Sequence, residues 1–490
     1  MLFNSYEFLF AFLPVVLAVY HVLRVQDRQR AAKLFLVAAS LFFYGWWNYR
    51  YVALVTVSIA VNYGLSLLIA RYKDRAKAFL VLALVFNLGL LGYFKYANFF
   101  VDAVSGLTGL DLQMKKVVLP LAISFFTFQQ IAYIVEVFKD RRAADSLTDY
   151  CLFVLFFPHL IAGPITHHKE MLPQFKQAGH GPLPHVFITV GVTVFILGIA
   201  KKVLLADTLA SIANPVFAAA HRGEALDAAS AWLGALAYTF QLYFDFSGYS
   251  DMAIGLALLF GIRMPVNFAS PYKSTSIIEF WRRWHISLSR FLRNYLYIPL
   301  GGSRKGPIRR HLNLLITMAL GGLWHGAGWT FLAWGLLHGS FLVINHLWRG
   351  VVGQQGGGWP RAAFGWTLTF FGVVAGWVLF RAESFPAALE VLKAMGGMSH
   401  PLALPEIPGT AADWLGVGVG AAIAFFLPNS LEIAGYPHKV PDALSAAEEA
   451  PITPRTWRIA APATAAILGA IAAVVIAKLP DPGVFLYFNF

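Results

Sequence analysis

Residues 304–326 read RKGPIRRHLNLLITMALGGLWHG. A basic block, Arg304 to Arg310, runs into an apolar helix that ends on one imidazole, His325. At about 1.5 Å per residue the helix carries His325 roughly 22 Å beyond Arg310. That depth lies well inside a hydrocarbon core about 30 Å thick. An ionisable group so placed is expensive, and function is the default reason to keep one. Gly321, Gly322, Gly326 and Gly328 permit close backbone approach by a neighbouring helix or a substrate. From depth alone, this reading and that of a neutral histidine bonded to a carbonyl at a helix break stand level.

The rest of the chain fits the same solvent. It has 490 residues, 58% hydrophobic and 13% charged, against about 25% charged in soluble domains. Apolar segments long enough to cross or nearly cross a bilayer are expected at Phe8–Val25, Ala32–Trp47, Tyr51–Ala70, Ala78–Phe100, Leu152–Gly163, Val186–Leu204, Ala231–Tyr243 with Met252–Phe260, Leu312–Leu323, Trp329–Leu347, Thr367–Phe380, Trp414–Leu427 and Ile459–Ala477. Several are short or glycine-broken, so about eleven true spans are expected, with re-entrant or interfacial helices besides. The fold class is thus an all-α polytopic bundle. The first span lacks a basic leader and an A-x-A site and is expected to be retained. Arg24, Arg28, Arg30 and Lys33, then Arg71, Lys73, Arg75 and Lys77, flank spans in alternate loops. The positive-inside rule puts those loops in the cytoplasm, the N-terminus outside, and the Trp46-Trp47-Asn48-Tyr49 turn in an outer aromatic belt.

Net charge is +13. In such a chain it fits cytoplasmic loops facing anionic headgroups, not nucleic acid. The single cysteine, Cys151, excludes an intramolecular disulfide and reads as packing. A P-loop, a G-x-S-x-G elbow and an H-E-x-x-H motif are absent, so neither nucleotide hydrolysis nor a serine esterase site is expected. His167, His168 and Glu170 are a weak metal candidate, and no metal is expected.

From Tyr238 to Gly339 apolar stretches alternate with dense polar residues. Ser276 and Glu279 read as a capping box opening a helix that runs on through Trp281, Arg282, Arg283, Trp284 and His285 toward Tyr295. Its charges forbid a lipid-facing span, so it belongs at the interface or around a wet cavity. Arg282 and Arg283 beside aromatic rings suit a phosphate or carboxylate, or an anionic lipid surface. His285 can orient His325, bind substrate or simply pack. In Gln241 to Asp251, two carboxylates, four rings and Gly248 interrupt a span; Asp245 and Asp251 share no helical face unless the helix breaks at Gly248. Either can pair with an arginine of 282–293, and structural pairing is the favoured role. Lys95, Asn98, Ser124, Gln129, Gln130, Glu136 and His159 are further polar groups in apolar stretches. Phe157 to Pro164 reads as a broken helix lining a cavity, with His159 structural. Gly353–Gly358 reads as a turn, and Pro401–Gly409 and Pro428–Pro454 as loops between the last spans.

Three segments together resemble the membrane-bound O-acyltransferase (MBOAT) family: Leu320 to Gly326, Glu279 to Leu288, and Tyr243 to Asp251. Phe157 to Pro164 and the terminal Phe485 to Phe490 are similar to its bacterial branch that O-acetylates exported polysaccharides such as alginate. The resemblance covers nearly the whole chain and is weakest between about residues 395 and 460. It implies a core over residues 1–390, with a C-terminal loop and additional helices over 391–490, and a bundle around a central tunnel. It implies catalysis at His325, with His285 the second signature position, and a substrate site near Arg282, Arg283, Trp324, Asp245, Asp251 and Tyr243. Trp324 and Trp329 are expected to wall the tunnel. No bound cofactor is implied; acetyl-CoA is the implied acyl donor. The implied partners are membrane lipid, a periplasmic SGNH-type acetyltransferase or similar acceptor protein, and a polysaccharide synthesis and export complex in the inner membrane. Three other readings stay open: D-alanyl transfer from a carrier protein, a transporter or flippase without chemistry, and a passive scaffold.

Overall fold

A computed structural model describes residues 1–111, 114–177, 181–353, 358–398, 409–437, 452, 455–479 and 485–486. Most of the expected 353–358 turn, most of both C-terminal loops and the final Tyr487 to Phe490 lie outside the described residues.

The described residues form helices and connecting turns. Six helical runs are long and apolar enough to cross a membrane: Glu7–Val25, Arg50–Arg71, Lys73–Thr108, His185–His221, Trp329–Val352 and Gly358–Arg381. Shorter apolar helices add to them, among them Ala411–Phe426. Few polar side chains interrupt these runs, and their apolar faces meet lipid as well as protein: Phe10, Val57, Val85 and Ile344 are all exposed. The protein is a multi-pass membrane bundle.

Two sequence expectations need correction. Ala231–Tyr243 and Met252–Phe260 are not two pieces broken at Gly248 but parts of one helix, Ala228–Leu259. Gly248 serves a close approach instead. A Cβ there would stand 2.8 Å from the carbonyl oxygen of Gly198, and one on Gly198 would stand 2.7 Å from that of Gly248. Gly191 and Gly255 repeat the relationship one level along, at 2.9 and 2.6 Å. Two glycines seven residues apart on each helix thus let the backbones touch, as small residues do within membranes.

The helix expected to run from Ser276 to Tyr295 is likewise two helices, Ile277–Arg283 and Ile286–Leu292. His285 sits between them with φ 44° and ψ 54°, a left-handed conformation costly for a residue with a Cβ. The neighbouring loop holds the break in place: Ala269 N donates to Arg283 O and Ile286 N to Asn267 O, each at 3.0 Å. The capping box is half formed. Ser276 accepts from Glu279 N, but the Glu279 carboxylate accepts from Thr275 N rather than from Ser276.

Candidate active site

The helix bearing the opening motif spans Pro307–His325 and stops where Gly326 turns to extended backbone. The next helix, Trp329–Val352, returns against it. They pack closely because Gly322 faces Phe331 O and Gly335 faces Met318 O, where added Cβ atoms would stand 2.2 and 2.3 Å away. His325 is thereby held in a box of rings. Trp324, Trp334 and Phe380 have centroids 4.9, 5.2 and 5.3 Å from its own.

His325 is 6% exposed, yet it is not sealed. It forms the inner wall of a cavity of about 250 Å³ lined also by Lys95, Ser124, Phe125, Ile161 and Trp324. The outer lining includes Trp47 and Val118, both exposed. The cavity therefore runs from His325 to the face carrying the Trp46–Tyr49 turn, at the end of the His325 helix away from its basic block. Trp324 lines it. Trp329 is not among its lining residues; it is exposed and packs on Phe99 at 5.4 Å.

His285 comes to the same place from the break at residues 284–285. Its ring centroid is 6.2 Å from that of His325, at an interplanar angle of 62°. Asn267, which the sequence did not single out, sets its tautomer. Asn267 Oδ1 accepts from Ser287 N at 3.2 Å and from Ser287 Oγ at 2.9 Å. Because a backbone N–H can only donate, that amide atom is the oxygen, and His285 Nδ1 at 3.2 Å must donate to it. His285 Nε2 is then the nitrogen without a proton.

The other predicted site residues lie elsewhere. Asp245 and Asp251 do not pair with an arginine of 282–293. Asp245 pairs with Lys202 at 2.7 Å and Asp251 with Lys201 at 2.6 Å. The two lysines open a π-helical segment, Lys201–Ala206, on the neighbouring run, and each reaches one carboxylate. Asp245 also accepts from Leu486 N at 3.0 Å, and Asp251 from Ser430 Oγ, which ties C-terminal segments to the core. Tyr243 packs among Phe268, Tyr272 and Trp284. Arg283 pairs with Glu279 at 2.8 Å and donates to Ala269 O, while Arg282 is exposed. Neither lines the cavity. His159 bonds Phe153 O at 3.2 Å, and in the weak metal candidate Glu170 is engaged by Arg290 at 2.6 Å.

Comparison with known proteins gives the family. Residues 121–371, which carry most of the cavity lining and both histidines, match the membrane-bound O-acyltransferase family. The chain is 43% identical over 443 residues to the peptidoglycan O-acetyltransferase of Helicobacter pylori, covering 85% of this chain and 83% of that one. It is 45% identical over 403 residues to the probable alginate O-acetylase of Pseudomonas aeruginosa, covering 81% and 75%. A more distant relative is the teichoic acid D-alanyltransferase of Streptococcus thermophilus, 31% identical over 240 residues, covering 46% and 57%. By this match and these identities, the chain belongs to the membrane-bound O-acyltransferase family.

Proposed function

We propose that the protein moves an acetyl group from a cytoplasmic thioester, acetyl-CoA, to a hydroxyl presented on the periplasmic side, as the membrane step of cell-envelope polysaccharide O-acetylation. The observation that carries this is His325, buried at the end of its helix and lining a cavity open toward the Trp47 face. The names of the two O-acetylating relatives supply the acyl group and the polymer class.

His325 takes the acceptor's hydroxyl proton as that oxygen attacks the thioester carbonyl. The tetrahedral intermediate collapses with cleavage of the C–S bond, and the imidazolium returns its proton to the departing sulfur. Ester and free thiol are the products. A neutral imidazole has the right basicity for this exchange near pH 7. His285, its Nδ1 proton committed to Asn267, keeps Nε2 as an acceptor nitrogen on a ring 6.2 Å from that of His325. The exposed basic residues Arg282, Arg304 and Lys305 suit the phosphates of the donor on the opposite face. The acceptor is an SGNH-type periplasmic protein that relays acetyl to sugar, which explains why the chain needs no serine nucleophile of its own. The inner membrane, with the N-terminus periplasmic, is the location.

The streptococcal relative supports a second reading, D-alanyl transfer, over less than half of the chain. Proteoliposomes loaded with acetyl-labelled acetyl-CoA inside and acceptor protein outside separate the readings. Labelled ester outside, with free CoA retained inside, is the expected result. Intact acetyl-CoA outside, or no ester, contradicts it.

A further inference from the structure

A helix that ends inside a packed bundle has a problem that one ending in open water does not. Its last four carbonyls lack partners within the helix, and burial requires that each find a donor elsewhere. In the Pro307–His325 helix each is satisfied. Gly322 O accepts from Gly326 N at 3.3 Å. Leu323 O accepts from the Tyr96 hydroxyl at 2.8 Å. Trp324 O and His325 O both accept from Lys95 Nζ, the latter at 3.2 Å.

We infer that Lys95, assisted by Tyr96, is the positioning residue of the catalytic histidine: its buried ammonium caps the His325 helix and holds the backbone from which the imidazole projects. Four observations carry this. Lys95 is 8% exposed, and no ion pair involving it is found among the described residues. Its other neighbours are Ser124 Oγ at 3.4 Å and the face of the Trp324 ring at 5.8 Å. Its Nζ faces the negative end of the helix it caps. The two capping residues are adjacent in sequence, which on a regular helix would turn them about 100° apart. They lie in the π-helical segment Gly92–Tyr96, a distortion frequent at functional sites, and their long side chains reach the same helix end. Finally, Lys95 and Ser124 line the same cavity as His325, so the ammonium stands on the wall of the chamber in which transfer is proposed.

This inference rests on His325 being the base, and the test separates the two. Lys95→Met, Lys95→Arg, Tyr96→Phe, His325→Ala and the double variant Lys95→Met/His325→Ala are compared as purified full-length protein. A misplaced base costs about 100-fold in kcat without altering donor binding. Lys95→Met is therefore expected to lower kcat by about that factor with KM for acetyl-CoA within about twofold. Lys95→Arg, which keeps charge and donors, is expected to recover at least about tenfold of the loss, and Tyr96→Phe to lose less than Lys95→Met. The double variant is expected to be no worse than His325→Ala. The inference is overturned by wild-type kcat in Lys95→Met, by a change confined to KM, or by losses that follow the amount of folded protein equally in the Met and Arg variants. Activity retained in His325→Ala overturns the base assignment, and this inference with it.

Discussion

The imidazoles of His325 and His285 face each other with centroids 6.2 Å apart, although they enter the site from different helices and by different means. His325 arrives at the end of a helix, His285 at a left-handed break between two. Both geometries put a ring where a regular helix would have carried it past. The strain at His285 is held by hydrogen bonds from the 267–269 loop, a pattern typical of functional sites. Replacing His285 with Ala is expected to lower acetyl transfer severely, by at least about 100-fold, with the helix break retained. Steady-state rates of purified protein check this, and wild-type turnover would make the pairing incidental.

Asn267 is the keystone of that break. Asn267→Ala leaves Ser287 N–H and His285 Nδ1–H without their acceptor, a loss of about 1–3 kcal/mol for buried groups. A lower thermal midpoint in detergent together with reduced turnover is expected; full stability with full activity would show that the break holds without it.

The glycine contacts between His185–Ala200 and Ala228–Leu259 give a prediction opposite in sign to the one a helix-breaking glycine would give. If Gly248 merely interrupted a helix, Ala would stabilise it. Because its Cβ would meet Gly198 O at 2.8 Å, Gly248→Ala is expected to destabilise by about 1–3 kcal/mol, and Gly248→Leu to prevent accumulation of folded protein. Fluorescence-detected size exclusion after graded heating reads both.

The Lys202–Asp245 pair is buried on both sides. Removing one partner of such a pair costs about 3–5 kcal/mol, because the other charge is left stranded. Lys202→Met is expected to lower thermal stability strongly and Lys202→Met/Asp245→Leu to regain part of it. The pair lies outside the cavity lining, so surviving folded protein is expected to keep its KM for acetyl-CoA.

The apolar helical runs and the burial of His325 at the end of its helix were legible because each depends on local composition and helix rise. What was not legible depends on partners far along the chain. Gly248 reads as an interruption until Gly198 is placed opposite it, even though the seven-residue spacing of Gly191 and Gly198 matches that of Gly248 and Gly255. Asp245 and Asp251 had arginines and lysines equally available, and only the packing of two helices chose Lys202 and Lys201. Lys95 stood out as a charge in an apolar run, but the two carbonyls it caps lie more than two hundred residues away. Asn267 gave no signal, since an Asn in a short loop is ordinarily a turn residue.

Orientation has a direct check. In a Cys151→Ser background, Val118→Cys at the outer end of the cavity is expected to react with a membrane-impermeant maleimide on intact spheroplasts. Arg304→Cys in the basic block is expected to react only after permeabilisation. The reverse pattern would invert the topology and place the cavity mouth on the donor side.

The central claim, that His325 is a working base reached through the cavity, is tested most directly by the turnover of His325→Ala and His325→Gln in proteoliposomes carrying donor inside and acceptor outside. Both variants are expected to insert and melt like the parent while losing at least about 1,000-fold in ester formation. Ester formation near the parental rate in either one would contradict the account.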